Sequence, residues 1–286
     1  MKNIRYGSDE NKDEIISLWN ICFPEAPEFS EWYFKNVFSP KNTLIYEEND
    51  KITAMLQEIP LNFNNSGKAT YIYGACTHPL YRKKGLMTKL LRQSFKNDTL
   101  KGITHSILIP ENEELFRFYK QFGYNKTTLV KKEVFKSSDF TQNSDNKYIL
   151  KKADFSDIEN MNSLYKKVLC DNDFIFRDTS FWEKQIQMFS NLNGDCFCLY
   201  NAKDLNLEAY AFLWPEKVLQ AQEMCFTDNT AKSILCKNLF AKSGAEELEI
   251  NYYDKKGDYR ACIKFHNSDK ENNIYFSDYI INLLWN

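Results

Sequence analysis

The 286-residue sequence has few histidines, and it lacks the histidine and cysteine spacings that are typical of metal sites. It has three histidines, His78, His105 and His266, and no set of them has zinc-ligand spacing, alone or with cysteines. Its eight cysteines are scattered, and no two of them have CxxC spacing. We therefore expect no metal site, and we interpret the cysteines as reduced thiols that are mostly buried.

Long apolar runs are also missing from the sequence. No apolar stretch approaches the roughly 18 residues that a membrane-spanning helix needs, and the first residues, MKNIRYGSDENKDE, lack the apolar core of a secretory signal. Charge of one sign is not in excess either, since 37 basic and 39 acidic residues give a net charge of −2. We therefore expect a cytoplasmic protein that binds neither membranes nor nucleic acid.

Apolar residues (43%) and aromatic residues (15%) are, by contrast, plentiful enough to build a buried core. Strands are predicted for the segments TLIYEEN, ITAMLQEIPL, TYIYGACTH, THSILIP and TTLVKKEVF. A helical stripe of apolar residues follows Asn11 and Glu14, which have capping-box spacing, and a short helix in ENEELFRFYKQFGY is predicted to end at Gly123. This order of elements predicts an α/β (α+β) fold.

The same order restarts after the polar, aperiodic segment KSSDFTQNSDNK. YILKK predicts a new first strand, Ser156 and Glu159 repeat the capping-box spacing, and SFWEK matches SEWYF of the first half. Counterparts of the later strands and helix are DCFCLYN, LEAYAFLW, VLQAQEMCFTD and NTAKSILCKNLFAKS. We therefore predict a duplicated unit, with a first domain at 1–136, a linker at 137–147 and a second domain at 148–286.

The segment YRKKGLM, residues 81–87, stands between a predicted strand and a predicted helix. A helix N-terminus presents unpaired N–H groups and the positive end of the helix dipole, which together bind phosphate. Gly85 lets an anion approach the backbone closely, and Arg82, Lys83 and Lys84 add positive charge. Taken alone, the segment is better explained as a solvated basic helix start.

A second motif, in NEELFRFYKQFGY, places Asn112, Tyr119, Gly123 and Tyr124 after the next strand. The succession of strand, R-x-x-G loop, helix, strand and N-x6-Y-x3-G-Y resembles the GNAT superfamily of acyl-CoA-dependent N-acetyltransferases. The bulky Met87 and the degenerate second unit make the chain similar to the Eis-like tandem-GNAT group. The resemblance implies two tandem GNAT-like domains, each a mixed, mostly antiparallel sheet flanked by helices.

The resemblance also implies roles for residues of the first half. Acetyl-CoA is the implied acyl donor, with its pyrophosphate on the loop, and N–H groups of Ala75–Thr77 are implied to stabilise the oxyanion. The residues implied to bind the donor are Ala75, Cys76, Thr77, Arg82, Lys83, Lys84, Gly85, Leu86, Met87, Thr88 and Asn112. Eis-like proteins carry a sterol-carrier-like domain for which this sequence is too short, so their C-terminal carboxylate base does not carry over to Asn286.

Tyr119 is the predicted general acid, since a phenol with a pKa of about 10 can protonate a thiolate, although packing at a helix end is its alternative role. Asn112 either hydrogen-bonds the pantetheine region or caps its helix. Thr88 either donates to a phosphate or lies on the surface. Cys76 is interpreted as a packing thiol rather than a nucleophile. Glu58 is the candidate base.

Acidic residues are also predicted near the acceptor. Glu25, Glu28 and Glu31 either attract a cationic amine or form a solvated face. The turn of the second half, CFTDNTAKSILCKNL, has neither glycine nor arginine, and Asp228 there predicts a helix cap whose charge repels a pyrophosphate. We therefore expect the second half to bind no coenzyme A and to shape the acceptor cleft.

The sequence leaves three functions open. The first is an N-acetyltransferase that moves an acetyl group from acetyl-CoA to a primary amine of a small molecule or a peptide, by direct attack on the thioester. The second is a non-catalytic acyl-CoA-binding module. The third is an aminoacyl-tRNA-dependent transferase, against which the intact loop and the absence of a basic excess both weigh.

Overall fold

The computed structural model of the protein describes residues 3–25, 27–140, 147–215, 218–266 and 279–281. The chain divides into two compact units, Met1–Lys126 with Ala261–Phe276 and Thr127–Arg260 with Ser277–Asn286. These units differ from the predicted domains 1–136 and 148–286, because each unit takes in a segment from the other half of the chain. Residues 141–146 of the predicted linker lie outside the described residues.

The described residues form fourteen strands and seven α-helices. The strands are β1 (Ile4–Tyr6), β2 (Thr43–Glu48), β3 (Lys51–Phe63), β4 (Gly67–Thr77), β5 (His105–Leu108), β6 (Asn125–Lys136), β7 (Tyr148–Lys152), β8 (Asp173–Phe174), β9 (Asp195–Asn201), β10 (Leu207–Pro215), β11 (Leu219–Phe226), β12 (Glu247–Tyr253), β13 (Asp258–Phe265) and β14 (Tyr279–Ile280). The helices are α1 (Lys12–Cys22), α2 (Pro27–Asn36), α3 (Leu86–Leu100), α4 (Glu113–Lys120), α5 (Ile158–Val168), α6 (Thr179–Asn191) and α7 (Asn229–Ser243). Within the described ranges, no helix has the length and apolar character to cross a membrane.

The first unit is built on a mixed sheet in the order β1-β2-β3-β4-β5-β13. Only β4 and β5 run parallel, and the other neighbours are antiparallel. Strand β13 comes from near the C-terminus of the chain and pairs with β5, so that Cys262 lies opposite Leu108. The sheet of the first unit is therefore completed by a strand that the sequence assigns to the second half.

The second unit repeats this arrangement in the order β6-β12-β11-β10-β9-β7. Only β11 and β12 run parallel, and strand β6 of the first half pairs with β12 as β13 pairs with β5. A separate parallel pair joins β8 and β14. The predicted fold class, two similar units with mixed, mostly antiparallel sheets flanked by helices, is confirmed. The halves exchange one strand each, which the sequence did not indicate.

Helical periodicity explains how α3 packs on the first sheet. Leu86 and Leu90 are four residues apart, Leu91 follows directly, and all three are at most 4% exposed, whereas Lys89 and Arg92, on either side of the pair Leu90–Leu91, are exposed. They form one apolar core with Phe116 and Tyr119 of α4 and with residues of β2 to β5. In the second unit, α7 fills the same role with Leu235 and Leu239. The core therefore fixes the start of α3 relative to the end of β4.

The predicted capping boxes are misplaced, since the observed boxes begin three residues earlier in the first unit and two residues earlier in the second. A 3₁₀ turn precedes each helix, so the backbone N–H of Ser8 donates to Asn11 Oδ1 at 3.0 Å, and that of Asp154 donates to Asp157 Oδ2 at 2.8 Å. Glu14, the predicted partner of Asn11, instead accepts from the N–H of Ile52 at 2.7 Å. Each box therefore closes the 3₁₀ turn rather than the α-helix that follows it.

Candidate active site

The loop between β4 and α3 has the backbone of an anion-binding turn. Gly85 is the N-cap residue of α3 with φ +73° and no side-chain cap, and Lys83 also has a positive φ of +62°. A Cβ built on Gly85 would meet no described atom within 4 Å, so it would project into open space before the helix. The first N–H groups of α3 therefore have room for a diphosphate, and the loop fits the pyrophosphate of coenzyme A.

The side chains of this loop divide into a charged rim and an apolar anchor. Arg82, Lys83 and Lys84 are exposed, whereas Leu86 is only 4% exposed and belongs to the core. Met87 and Thr88 are half-buried in the first turn of α3. Among the residues predicted to bind the acyl donor, the three cations therefore present positive charge to solvent. The side chain of Leu86 is in the core, so only its backbone N–H could contact a ligand.

Beside the loop, β4 and β5 separate. Their parallel pairing covers only Ala69–Tyr71 with His105–Ile107, and among the described strands none pairs with the rest of β4 on that side. A β-bulge in β4 shifts its register against β3 between Met55 and Gln57, and Gly74 within it has φ +55°. The bulge and the short pairing leave a split whose backbone groups face a potential ligand rather than a strand.

Thr77 presents its backbone to this split. The N–H of the next residue, His78, donates to Thr53 of β3 at 2.9 Å, and backbone groups alternate in direction along a strand. Thr77 therefore points away from β3, and its carbonyl oxygen accepts from Arg82 Nε at 3.2 Å. By the same alternation, the N–H of Cys76 points toward β3. Of these two residues, Thr77 is thus the one whose N–H is directed at the split.

Tyr119 lies at the end of α4 among the core residues beneath the split. Its side chain is 8% exposed, its ring packs edge-on against Tyr124 at 5.8 Å, and its hydroxyl has no hydrogen-bond partner among the described residues. Burial, reinforced by the neighbouring thiols of Cys262 and Cys76, raises the pKa of Tyr119 to about 12. The phenol is therefore protonated at neutral pH, and its O–H group is available to donate a hydrogen bond.

Asn112 and Glu58 make structural contacts. Asn112 is the N-cap residue of α4, and its Oδ1 accepts from the N–H of Leu115 at 3.1 Å. Glu58 is 5% exposed, and its carboxylate accepts from the hydroxyl of Tyr6 at 2.5 Å and from Lys101 Nζ at 3.3 Å. Asn97 Nδ2 is a third donor, at 3.2 Å. These bonds tie Glu58 to the C-terminal end of α3, which favours a structural role over that of a base.

The acidic residues predicted to border the acceptor are solvated. Glu25 precedes α2, Glu28 and Glu31 lie on that helix, and all three are exposed. A surface groove between α1 and α2 includes Glu31, Phe23 and Phe34 among its lining residues. Within the described ranges, no three His, Cys, Asp or Glu side chains cluster as metal ligands would.

Residue Cys22, which sequence reasoning did not select, lies at this site. It ends α1, is half-buried, and its Sγ lies 3.6 Å from the carbonyl oxygen of Thr77. The apolar stripe of α1 places Cys22 on the sheet-facing side, but no spacing in the sequence relates it to Cys76. Gly74 was also missed, although an isolated glycine inside a strand is a recognised signal for a bulge.

The corresponding turn of the second unit is closed by its own side chains. Asp228 is the N-cap residue of α7, and its Oδ1 accepts from the N–H of Ala231 at 2.9 Å. Lys232, one turn into α7, is 8% exposed and donates to Glu133 at 2.7 Å and to the hydroxyl of Tyr252 at 3.3 Å. A carboxylate therefore occupies the place of Gly85.

Comparison with known protein families finds a match in the first part of the chain. Residues 3–127 match the family model described as an acetyltransferase (GNAT) domain. The matched residues, fewer than half of the chain, are similar to a GNAT acetyltransferase domain. This family transfers acyl groups from coenzyme A thioesters and uses acetyl-CoA as its donor. None of the curated proteins compared with the sequence matches it.

Solved structures extend the likeness beyond the GNAT domain to the whole fold. A "Probable N-Acyltransferase" from Enterococcus faecalis V583 covers 92% of this chain and 72% of its own, with 16% identity and a TM-score of 0.74. Eis1 from Mycobacterium abscessus covers 93% and 74%, with 10% identity and a TM-score of 0.65. A tandem GNAT protein from the clavulanic acid biosynthesis pathway covers 92% and 99%, with 8% identity and a TM-score of 0.59. The fold is thus that of tandem GNAT proteins, including an Eis protein, and the resemblance seen in the sequence is confirmed.

Proposed function

We propose that the protein is an N-acetyltransferase that transfers an acetyl group from acetyl-CoA to a primary amine of a small molecule or a peptide. The observation that carries the proposal is the open, glycine-capped N-terminus of α3 beside the split between β4 and β5. Acetyl-CoA, when bound, supplies the acyl group as a thioester. The residues around it then bind, orient and exchange protons with the reacting groups.

The first task of these residues is to hold the donor. The N–H groups at the start of α3 would bind the pyrophosphate, and Arg82, Lys83 and Lys84 would add charge from the exposed rim. The free edge of β4 would pair with the amide groups of the pantetheine arm, as one strand pairs with another. Asn112, whose Oδ1 caps α4, is proposed to contribute through its remaining side-chain nitrogen.

The second task is to lower the barrier to acyl transfer. The N–H of Thr77 would donate to the carbonyl oxygen as negative charge develops there, when a neutral amine attacks the adjacent carbon. Tyr119 would then give its proton to the departing thiolate. Its hydroxyl has no hydrogen-bond partner among the described residues, and its raised pKa keeps the proton in place until that step.

Calorimetric titration of the full-length chain with coenzyme A tests donor binding. We expect one site per chain, strong weakening by Arg82→Glu, and no change with Arg260→Glu, which makes the same charge change on an exposed arginine of the second unit. Turnover of acetyl-CoA with polyamines, aminoglycosides and lysine peptides then tests transfer. Undiminished binding in Arg82→Glu would contradict the proposed loop, and binding without turnover of any amine would favour a non-catalytic module.

We further propose that the second unit binds no coenzyme A. The cap made by Asp228 and the ion pair of Lys232 with Glu133 support this, because they occupy the helix start and its neighbourhood. The same titration decides the point through its stoichiometry. Two equivalents of coenzyme A per full-length chain would refute it.

A further inference from the structure

The glycine in the bulge of β4 allows this strand to lie directly against a tryptophan of α1. A Cβ built on Gly74 would collide with Trp19 Cζ3, so the indole ring rests on the backbone of the bulge. The ring is itself fixed, because Trp19 Nε1 donates to Ser30 Oγ of α2 at 2.9 Å and both residues are buried. Helices α1 and α2 therefore hold the indole ring at the bulge.

Gln57 reaches the same bulge from β3. A Cβ on Gly74 would lie 3.2 Å from Gln57 Nε2, and Gln57 stands opposite Tyr73 in the sheet. The hydroxyl of Tyr33 on α2 donates to Gln57 Oε1 at 2.6 Å and so fixes the orientation of the amide. The ring of Tyr33 stacks on that of Trp19, with centroids 5.4 Å apart. Trp19, Tyr33 and Gln57 therefore form one connected group, the bulge support, which meets β4 at Gly74.

The amide of Gln57 lowers the stability of the fold. Gln57 is 1% exposed, and its Nε2 has no hydrogen-bond partner among the described residues. A buried donor without a partner is unfavourable, because it has lost its hydrogen bonds to water. Methionine would fill the same space without this penalty, but its flexible side chain would fix the neighbouring backbone less well. The glutamine, oriented by Tyr33, therefore gives the bulge a rigid neighbour at a cost in stability.

The bulge decides which way the end of β4 faces. Gln57 pairs with Tyr73, and Ala54 pairs with Thr77, so three steps along β3 are matched by four steps along β4. This extra residue reverses the alternation of backbone groups beyond it. Without the bulge, the N–H of Thr77 would point toward β3 rather than into the split between β4 and β5. The direction of the proposed oxyanion donor therefore depends on the shape of the bulge.

We propose that Gln57, oriented by Tyr33 and packed beside Trp19, is a positioning residue for acyl transfer. The bulge support holds Gly74, and the bulge in turn holds the N–H of Thr77 where the carbonyl oxygen of the thioester gains negative charge. This inference rests on the proposed function. Gln57 acts through the backbone of β4, so its loss should slow the transfer step and leave the binding of coenzyme A at the start of α3 unchanged.

The double variant Tyr33→Phe/Gln57→Met tests this role, because it removes both partners of the hydrogen bond and keeps the apolar shape. Such a paired replacement is nearly neutral or stabilising, so we expect the midpoint of denaturant unfolding to be no lower than that of wild type. We expect kcat for acetyl transfer to fall by roughly 10- to 100-fold, the loss that a misplacement of up to about 1 Å causes. The calorimetric affinity for coenzyme A should not change.

The control is Tyr165→Phe in the second unit. This change removes a buried hydroxyl that donates to the carbonyl oxygen of Ile175 at 3.0 Å, and turnover should equal that of wild type. If the double variant does not fold, Tyr33→Phe alone, which leaves Oε1 of Gln57 without its donor, should still lower kcat with unchanged affinity for coenzyme A. A stable variant that transfers acetyl at the wild-type rate, or one whose kcat and coenzyme A binding fall together, would overturn the inference.

Hydrogen exchange followed by mass spectrometry gives a measurement that does not require turnover. Peptides that cover Tyr73–His78 should exchange faster in the double variant than in wild type, and they should exchange at the wild-type rate in Tyr165→Phe. Faster exchange in a protein whose wild type acetylates no amine would sink the proposed function and leave the bulge support intact. Unchanged exchange and turnover in a protein that does acetylate amines would sink only the role of Gln57.

Discussion

Replacing Tyr119 by phenylalanine separates its two predicted roles, because the change deletes the hydroxyl and keeps the ring. The ring packs against Phe118 and Tyr124 in the core of the first unit, and phenylalanine preserves those contacts. The hydroxyl has no hydrogen-bond partner among the described residues, so its loss should change the free energy of unfolding by no more than about 1 kcal/mol, and in the stabilising direction. The substitution should reduce the rate of acyl transfer strongly, while the free energy of unfolding changes little.

The expected kinetic loss follows from the role of a general acid. A positioned proton donor contributes roughly 10²- to 10⁴-fold to rate, which is about 3 to 5 kcal/mol of barrier at 1.36 kcal/mol per tenfold. We therefore expect kcat for acetyl transfer to fall by that factor in Tyr119→Phe. KM for acetyl-CoA and the affinity for coenzyme A should change little, because the donor is held by the loop and by β4.

The control is Tyr124→Phe, a neighbouring tyrosine of the same core. Its hydroxyl makes a 2.7 Å hydrogen bond with Ser106 Oγ, and both residues are buried. Removing the Tyr124 hydroxyl leaves Ser106 without that partner, so we expect the free energy of unfolding in denaturant to fall by about 1 to 3 kcal/mol. The rate of acetyl transfer should be nearly unchanged. Full turnover in Tyr119→Phe, or parallel losses of turnover and stability in both variants, would show that Tyr119 only packs.

Three further predictions concern the loop and the second unit. Gly85→Glu should abolish coenzyme A binding in calorimetry, whereas Gly102→Glu, also at a positive φ (+66°) with no described atom within 4 Å of its Cβ, should leave binding intact; equal losses would point to general misfolding. Burial alone would raise the pKa of Glu133, but hydrogen bonds from Lys131 and Lys232 outweigh it and lower that pKa to about 2. The stability that Glu133 contributes is therefore present above its unfolded pKa of about 4.3 and is lost as the pH falls from there toward 2. In acid unfolding experiments, the free energy of unfolding of wild type should exceed that of Glu133→Gln by about 1 kcal/mol above pH 4.3, after allowance for solvent screening. This difference should disappear as the pH approaches 2. Glu223→Ala should destabilise the protein by about 3 to 5 kcal/mol in denaturant unfolding, because it leaves the fully buried Arg177 without its 2.7 Å ion-pair partner; a loss below 1 kcal/mol would mean that the pair is not buried as described.

The parts of the fold that could be predicted are those with local signals. Strands β2 and β3 were predicted from the segments TLIYEEN and ITAMLQEIPL, and the polar residues Asn49 and Asp50 between these strands have positive φ values of 52° and 58°. The start of α3 was predicted from Gly85 and the apolar stripe that follows it. In each case the chemistry of a few adjacent residues determines the backbone, so no knowledge of distant partners is needed.

The parts that could not be predicted depend on distant pairing. Strand β13 has the same alternating pattern whether it pairs with β5 or with a strand of its own half, so the sequence cannot indicate the exchange. The contact of Cys22 with the carbonyl oxygen of Thr77 likewise arises only when α1 packs on β4. The two capping boxes were misplaced for a smaller reason, since a 3₁₀ turn and the first turn of an α-helix have similar sequence signals.

The placement of β13 also has a consequence for how this protein is made. During translation, residues 1–126 emerge long before residues 261–265. Until β13 is synthesised, the edge of β5 with which it pairs therefore lacks this partner. An unpaired strand edge is a template for wrong association, so this edge is exposed to that risk until β13 has been synthesised. Truncating the gene between the two predicted domains would therefore leave each fragment without one strand of its sheet.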